Sequence, residues 1–98
     1  MTYFDKSLGI DPSNTKALNG KGLALLKLEK NNEAMGFFDK ALSIDPNNAE
    51  SLNNKGVALA NLGNYYEAIK YIDKALAIDP KDALALDNKQ KILDVLGK

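Results

Sequence analysis

Apolar and small residues recur along this chain at intervals of three and four. Between residues 48 and 63, Leu52, Leu59 and Leu62 keep helical spacing, with Gly56 and Ala58 as small neighbours. Asn48 precedes this run, and its side chain can accept from the free amides of a first turn. Gly63 follows it, suited to the left-handed residue that ends many helices. A second run places Ala68, Ile69, Ile72, Ala75 and Leu76 on one side and stops at Ile78-Asp79-Pro80. Proline drives the residue before it out of helical geometry, so Asp79 marks that boundary. The same pattern predicts helices over 2–10, 15–28, 32–44, 49–62, 66–78 and 83–96, and no strand. Links of about three to five residues make consecutive helices antiparallel neighbours.

The pattern repeats. Ile-Asp-Pro begins at Ile10, Ile44 and Ile78, a spacing of 34 each time. Laid on 37–70 without a gap, residues 3–36 match at 17 of 34 positions; 37–64 match 71–98 at 14 of 28. Asn14 and Asp82 fall in the capping column of Asn48. A generic helical bundle has no reason to hold such a phase, whereas a stack of identical supersecondary units requires it.

Composition narrows the chemistry. The chain has 98 residues, with 13 basic residues, all of them Lys, balanced by 13 acidic ones. His, Cys and Trp are also absent. Ordinary zinc and iron–sulfur sites, disulfides, cysteine nucleophiles and His-based acid–base catalysis are excluded on those grounds. The zero charge balance speaks against a nucleic-acid module, which carries a basic excess. The longest apolar stretches, such as 22–26, run about five residues against the ~20 that cross a bilayer, and no basic-then-apolar leader follows Met1. These readings give no cofactor, no metal, no nucleic acid, no membrane, no catalysis and a cytoplasmic setting. Asp11-Pro12-Ser13-Asn14 resembles a calcium loop only faintly, lacking its glycine and terminal Glu.

A helix–turn–helix unit of 34 residues resembles the tetratricopeptide repeat (TPR). The matching positions in one unit are Leu52, Gly56, Leu59, Gly63, Tyr65, Ala68, Ile72, Ala75 and Pro80; the preceding unit offers Leu18, Gly22, Leu25, Ala34, Phe38, Ala41 and Pro46. Gly22 with Ala34, and Gly56 with Ala68, would let the helices of one hairpin approach closely. The resemblance covers the whole chain as one domain: 1–14 as the second helix of a partial repeat, 15–48 and 49–82 as repeats, and 83–98 as the first helix of a partial repeat or a cap. It implies an all-α fold, a right-handed superhelical solenoid of antiparallel helix pairs. Pentatricopeptide RNA binders, with a period of 35 and a basic groove, fit less well.

Three departures stand out. Glu29 occupies the turn position of Gly63 and Gly97, where a left-handed non-glycine residue costs about 1 kcal/mol. Asn31 replaces the aromatic Tyr65, so this turn is expected to be the weakest. Lys21, Lys55 and Lys89 stand where the family usually has Leu, and their stems are expected to cover apolar surface while the ammonium stays in water.

Similarity to TPR proteins also implies a concave surface lined by the first helix of each hairpin, and a protein or peptide partner held there. Carried over by position, Asn19, Asn53, Asn54 and Asn88 form an amide ladder able to pair with an extended backbone. Leu23, Leu26, Val57 and Ala60 add an apolar stripe, with Lys91 farther along. One TPR subclass grips the C-terminal carboxylate of heat-shock chaperones with Lys and Asn on the first helix, Asn on the next, then Lys and Arg. Here Asn19, Leu23, Leu84 and Asn88 occupy the other places and Asn54 alone matches, so strong binding of acidic C-terminal peptides is not expected.

Both ends of the chain lie out of phase with the repeat. Phe4 and Leu8 at one end, and Leu86, Ile92, Leu93 and Leu96 at the other, are expected to expose apolar surface. This suits a segment of a longer TPR protein. It also suits a homo-oligomer, head-to-tail or helix-exchanged, in which the opening segment of one copy docks on the last helix of another. Gln90 replaces the small residue seen as Gly22 and Gly56, a substitution that would hinder a following helix and fits a cap. The opening segment lacks the residue expected to face Gln90, which would leave room for it.

Overall fold

The computed structural model describes residues 14–97. Among these there are five α-helices and no strand: α1 (Thr15–Lys27), α2 (Asn31–Ile44), α3 (Ala49–Asn61), α4 (Tyr65–Ile78) and α5 (Ala83–Leu96). The helix expected over 2–10 lies outside the described residues. Each helix packs on the next in sequence, and α3 also touches α1 and α5, as in a one-dimensional stack of hairpins.

Local signals set the boundaries. Asn14 Oδ1 accepts from the Ala17 amide at 3.1 Å, Asn48 Oδ1 from Ser51 at 3.0 Å, and Asp82 Oδ1 from Leu84 and Ala85 at 3.0 and 3.2 Å. These caps satisfy amides that have no partner within the helix. At the other end of α1, the Lys30 amide reaches back to the Leu25 carbonyl at 2.9 Å, and after α3 the Asn64 amide does the same to Leu59. Such a turn needs one left-handed residue. Gly63 supplies it at φ 86° and Glu29 at φ 61°, the one non-glycine with positive φ among the described residues.

Two apolar clusters hold the stack. Leu25, Ala34, Phe38 and Ala58 join the first hairpin to α3; Leu59, Ala68, Ile72, Ala85 and Ile92 join the second hairpin to α5. The glycines allow the close approach. A Cβ at Gly22 would overlap the Phe38 ring, standing 2.7 Å from Cζ. One at Gly56 would lie 2.6 Å from Ile72 Cγ1 and 3.0 Å from the Ala68 carbonyl oxygen. Gly22 therefore lies against Phe38, and Gly56 against both Ala68 and Ile72.

Candidate functional site

The side chains on α1, α3 and α5 divide between an open groove and a seam where these helices meet. The Asn ladder belongs largely to the seam. Asn19 is 1% exposed, and its Oδ1 accepts from Ser51 Oγ at 2.8 Å, tying α1 to α3. Asn53 is also buried and accepts from Asn88 Nδ2 at 3.3 Å, tying α3 to α5. Asn54 is 4% exposed, and its Nδ2 has no partner. Three of the four ladder residues, Asn19, Asn53 and Asn88, thus form inter-helix cross-links, and Asn54 is buried beside them. Ala17, Ser51 and Ala85 share one column beside the ladder and are all buried, so small side chains line the seam into which the Asn amides turn.

The groove itself is lined by other residues. Leu23 is exposed, and Leu26 is half-buried against the first apolar cluster. Between α3 and α5 lies a pocket of about 260 Å³ lined by Val57, Ala60, Asn61, Asn88, Lys91 and Ile92. Val57, Ala60, Asn88 and Lys91 are four of the groove residues expected from sequence, and the structure brings them together here. Lys91 is exposed and pairs with Asp87 on its own helix at 3.1 Å. Asn61 donates to Asn31 Oδ1 at 3.0 Å, so the position that lost its aromatic in the first hairpin carries an inter-hairpin hydrogen bond instead.

Ile92, expected on the exposed end face, is buried in the second cluster and forms one wall of the pocket. Its column contains Ala58, which faces the preceding hairpin, so the 34-residue phase carried the signal that periodicity within α5 alone did not. Leu86 is exposed, while Leu93 and Leu96 are half-buried, Leu96 against the second cluster. Phe4 and Leu8 lie outside the described residues.

The Lys column is more engaged than expected. Lys55 Nζ lies 2.7 Å from Asp39 Oδ1 on α2 and 4.5 Å from the centre of the Tyr71 ring on α4. Burial works against the Lys55 charge, but Asp39 and Tyr71 together outweigh it and raise its pKa above the ordinary 10.5. Lys89 repeats the ion pair with Asp73 at 2.8 Å, and Lys21 repeats the ring contact with Phe37 at 5.7 Å. The Lys55 and Lys89 ammonium groups thus clamp adjacent hairpins, while the Lys21 ring contact lies within its own hairpin. Among the described residues no cluster of acidic side chains could hold a metal ion, and no helix is long and apolar enough to cross a membrane.

The sequence model for the tetratricopeptide repeat matches residues 15–48 and 49–82, the same units that the internal repeat delimits. The first TPR domain of human RPAP3, solved by NMR, superposes with a TM-score of 0.89 at 22% identity, covering 96% of this chain and 74% of that one. The first TPR of Spaghetti (RPAP3) bound to the HSP90 peptide SRMEEVD gives 0.86 at 22% identity, over 97% and 75%. YrrB, a TPR protein with an unusual peptide-binding site, gives 0.82 at 29% identity, over 91% of this chain and 46% of its own. No curated protein matches the chain significantly in sequence.

Proposed function

The chain belongs to the tetratricopeptide repeat family, and from that premise we propose that it is a non-catalytic scaffold holding an extended segment of a partner protein in the groove along α1, α3 and α5. The pocket between α3 and α5 carries this reading. Val57, Ala60 and Ile92 offer an apolar wall, and the Asn61 and Asn88 amides sit beside it. A peptide side chain can fill such a pocket while its backbone meets the amides. Similar solved TPR domains are bound to peptides, which supports the general role.

The ligand class differs from that of the carboxylate-gripping subclass. Leu23 and Leu84, both exposed, stand where that subclass carries polar and cationic side chains. Uncharged peptides with an aliphatic side chain should therefore bind in preference to acidic C-terminal ones. A peptide array followed by calorimetry tests this. Val57→Lys or Asn88→Ala should weaken the selected peptide at least tenfold, while SRMEEVD binds no tighter than high micromolar. Low-micromolar binding of SRMEEVD, or peptide binding indifferent to both substitutions, would overturn the reading.

A further inference from the structure

On α5 the residues Leu86, Gln90 and Leu93 follow one another at helical spacing and occupy the columns of Leu52, Gly56 and Leu59 on α3, and of Leu18, Gly22 and Leu25 on α1. In α1 and α3 this face is covered by the following helix, α2 or α4. In α5 no described residue covers it, and Leu86 is exposed. The face is also electrostatically half-finished. Lys21 and Lys55 each lie over an aromatic ring of the following helix, Phe37 or Tyr71, whereas Lys89 has Asp73 behind it and no described ring ahead.

The chain carries a sequence that fits the missing place. Residues 3–10 match 37–44 at five of eight positions and 71–78 at five of eight. Tyr3 stands in the ring column of Phe37 and Tyr71, so it could complete the contact with Lys89. Phe4 stands in the column of Phe38 and Ile72, and those two residues are the ones that meet Gly22 and Gly56. That contact leaves no space for even a Cβ at the glycine. In a docked copy the room expected opposite Gln90 would therefore be filled by Phe4. Gln90 also carries a carboxamide, bonded to Asp94 at 3.0 Å, which would lose its water beneath a Phe ring.

We propose that Gln90 is a stop residue: it closes the outer face of α5 to the helix that would continue the stack, and the occupant it turns away is residues 3–10 of a second copy. Without this obstacle the contact would be heterologous, each copy offering α5 and the opening segment to different neighbours, and would grow into open chains. The peptide groove is separate from this surface and lies on another face of α5.

The test is graded by a single atom. Wild type and Gln90→Ala should both sediment as the 10.6 kDa monomer across a hundredfold concentration range, because at Gly22 and Gly56 even a Cβ would meet the side chain of the column to which Phe4 aligns. Gln90→Gly should associate as concentration rises, and adding Phe4→Glu should return it to monomer. If Gln90→Gly unwinds α5, seen as lost helical circular dichroism, the double variant Gln90→Ala with Phe4→Ala clears the same space from the other side and should associate. The proposal falls if wild type assembles in a manner abolished by Leu93→Glu. It falls equally if neither cleared variant associates more than Gln90→Ala.

Discussion

Helices α3 and α5 are the same structural element in successive repeats, placed in different surroundings. Leu52 on α3 is 5% exposed and its counterpart Leu86 on α5 is 49% exposed. Gly56 lies against Ile72 and Ala68, whereas its counterpart Gln90 bonds to Asp94 along its own helix. The comparison shows that a repeat position has no energetic value by itself. What a leucine or glycine contributes depends on whether a following helix covers it, the nearest-neighbour behaviour expected of a solenoid.

The largest effect should come from truncating the paired leucines. Leu52→Ala leaves a cavity at a buried site and should cost about 2–5 kcal/mol, while Leu86→Ala should stay within about 0.5 kcal/mol. Urea midpoints for the two variants check this, and equal losses would break the contrast. A second pair sharpens it. Gly56→Ala pushes a methyl into Ile72 Cγ1 and the Ala68 carbonyl and should cost about 1–3 kcal/mol. Gln90→Ala gives up only a surface hydrogen bond and gains helix propensity, so its midpoint should barely move.

Much of this architecture was legible in the sequence because a 34-residue phase constrains every helix at once. The predicted bounds differ from the observed ones by a single residue at most: α2 and α4 begin at Asn31 and Tyr65, one earlier, and α1 and α3 end one earlier. The candidate site was less legible. Helical spacing assigns Asn19 and Asn53 to the inner side of the stack, but not to its open groove or its closed seam. That choice depends on how α1, α3 and α5 pack, and the small residues Ala17, Ser51 and Ala85 are buried in their seam. Polarity pointed outward, and the Ser51–Asn19 hydrogen bond made inward burial possible. The Lys column shows the same limit. Asp39 and Asp73 repeat in phase with Lys55 and Lys89, yet only the packing order shows that each Lys reaches back across the preceding hairpin.

The two turns offer a smaller contrast of the same kind. Gly63 and Glu29 both hold a left-handed conformation, at φ 86° and 61°, and only glycine does so without steric cost. Glu29→Gly should stabilise the protein by about 1 kcal/mol, and Gly63→Ala should destabilise it by a similar amount. Thermal melts of the two variants should therefore shift in opposite directions. A Glu29→Gly variant that melts no higher than wild type would mean that the Glu29 side chain compensates for its backbone.

The smallest expected effect separates Lys55 from Lys89. Both hold an Asp on the preceding hairpin, but Lys55 also lies over Tyr71, and its side chain is 18% exposed against 35% for Lys89. Because the Lys55 pKa is raised on folding, the folded state holds that proton more tightly than the unfolded chain does. Its contribution is therefore complete below the ordinary value of 10.5 and disappears as pH rises through the higher folded value. Lys55→Met should cost a few tenths of a kcal/mol to about 1 kcal/mol near neutrality, with the gap to wild type closing under alkali. The informative quantity is the difference between wild type and variant at each pH, not the slope of either. Lys89→Met should cost less than Lys55→Met near neutrality, because it removes one partner contact rather than two. If the two variants lose the same stability at that pH, Tyr71 adds nothing to the clamp and the ion pair alone accounts for it.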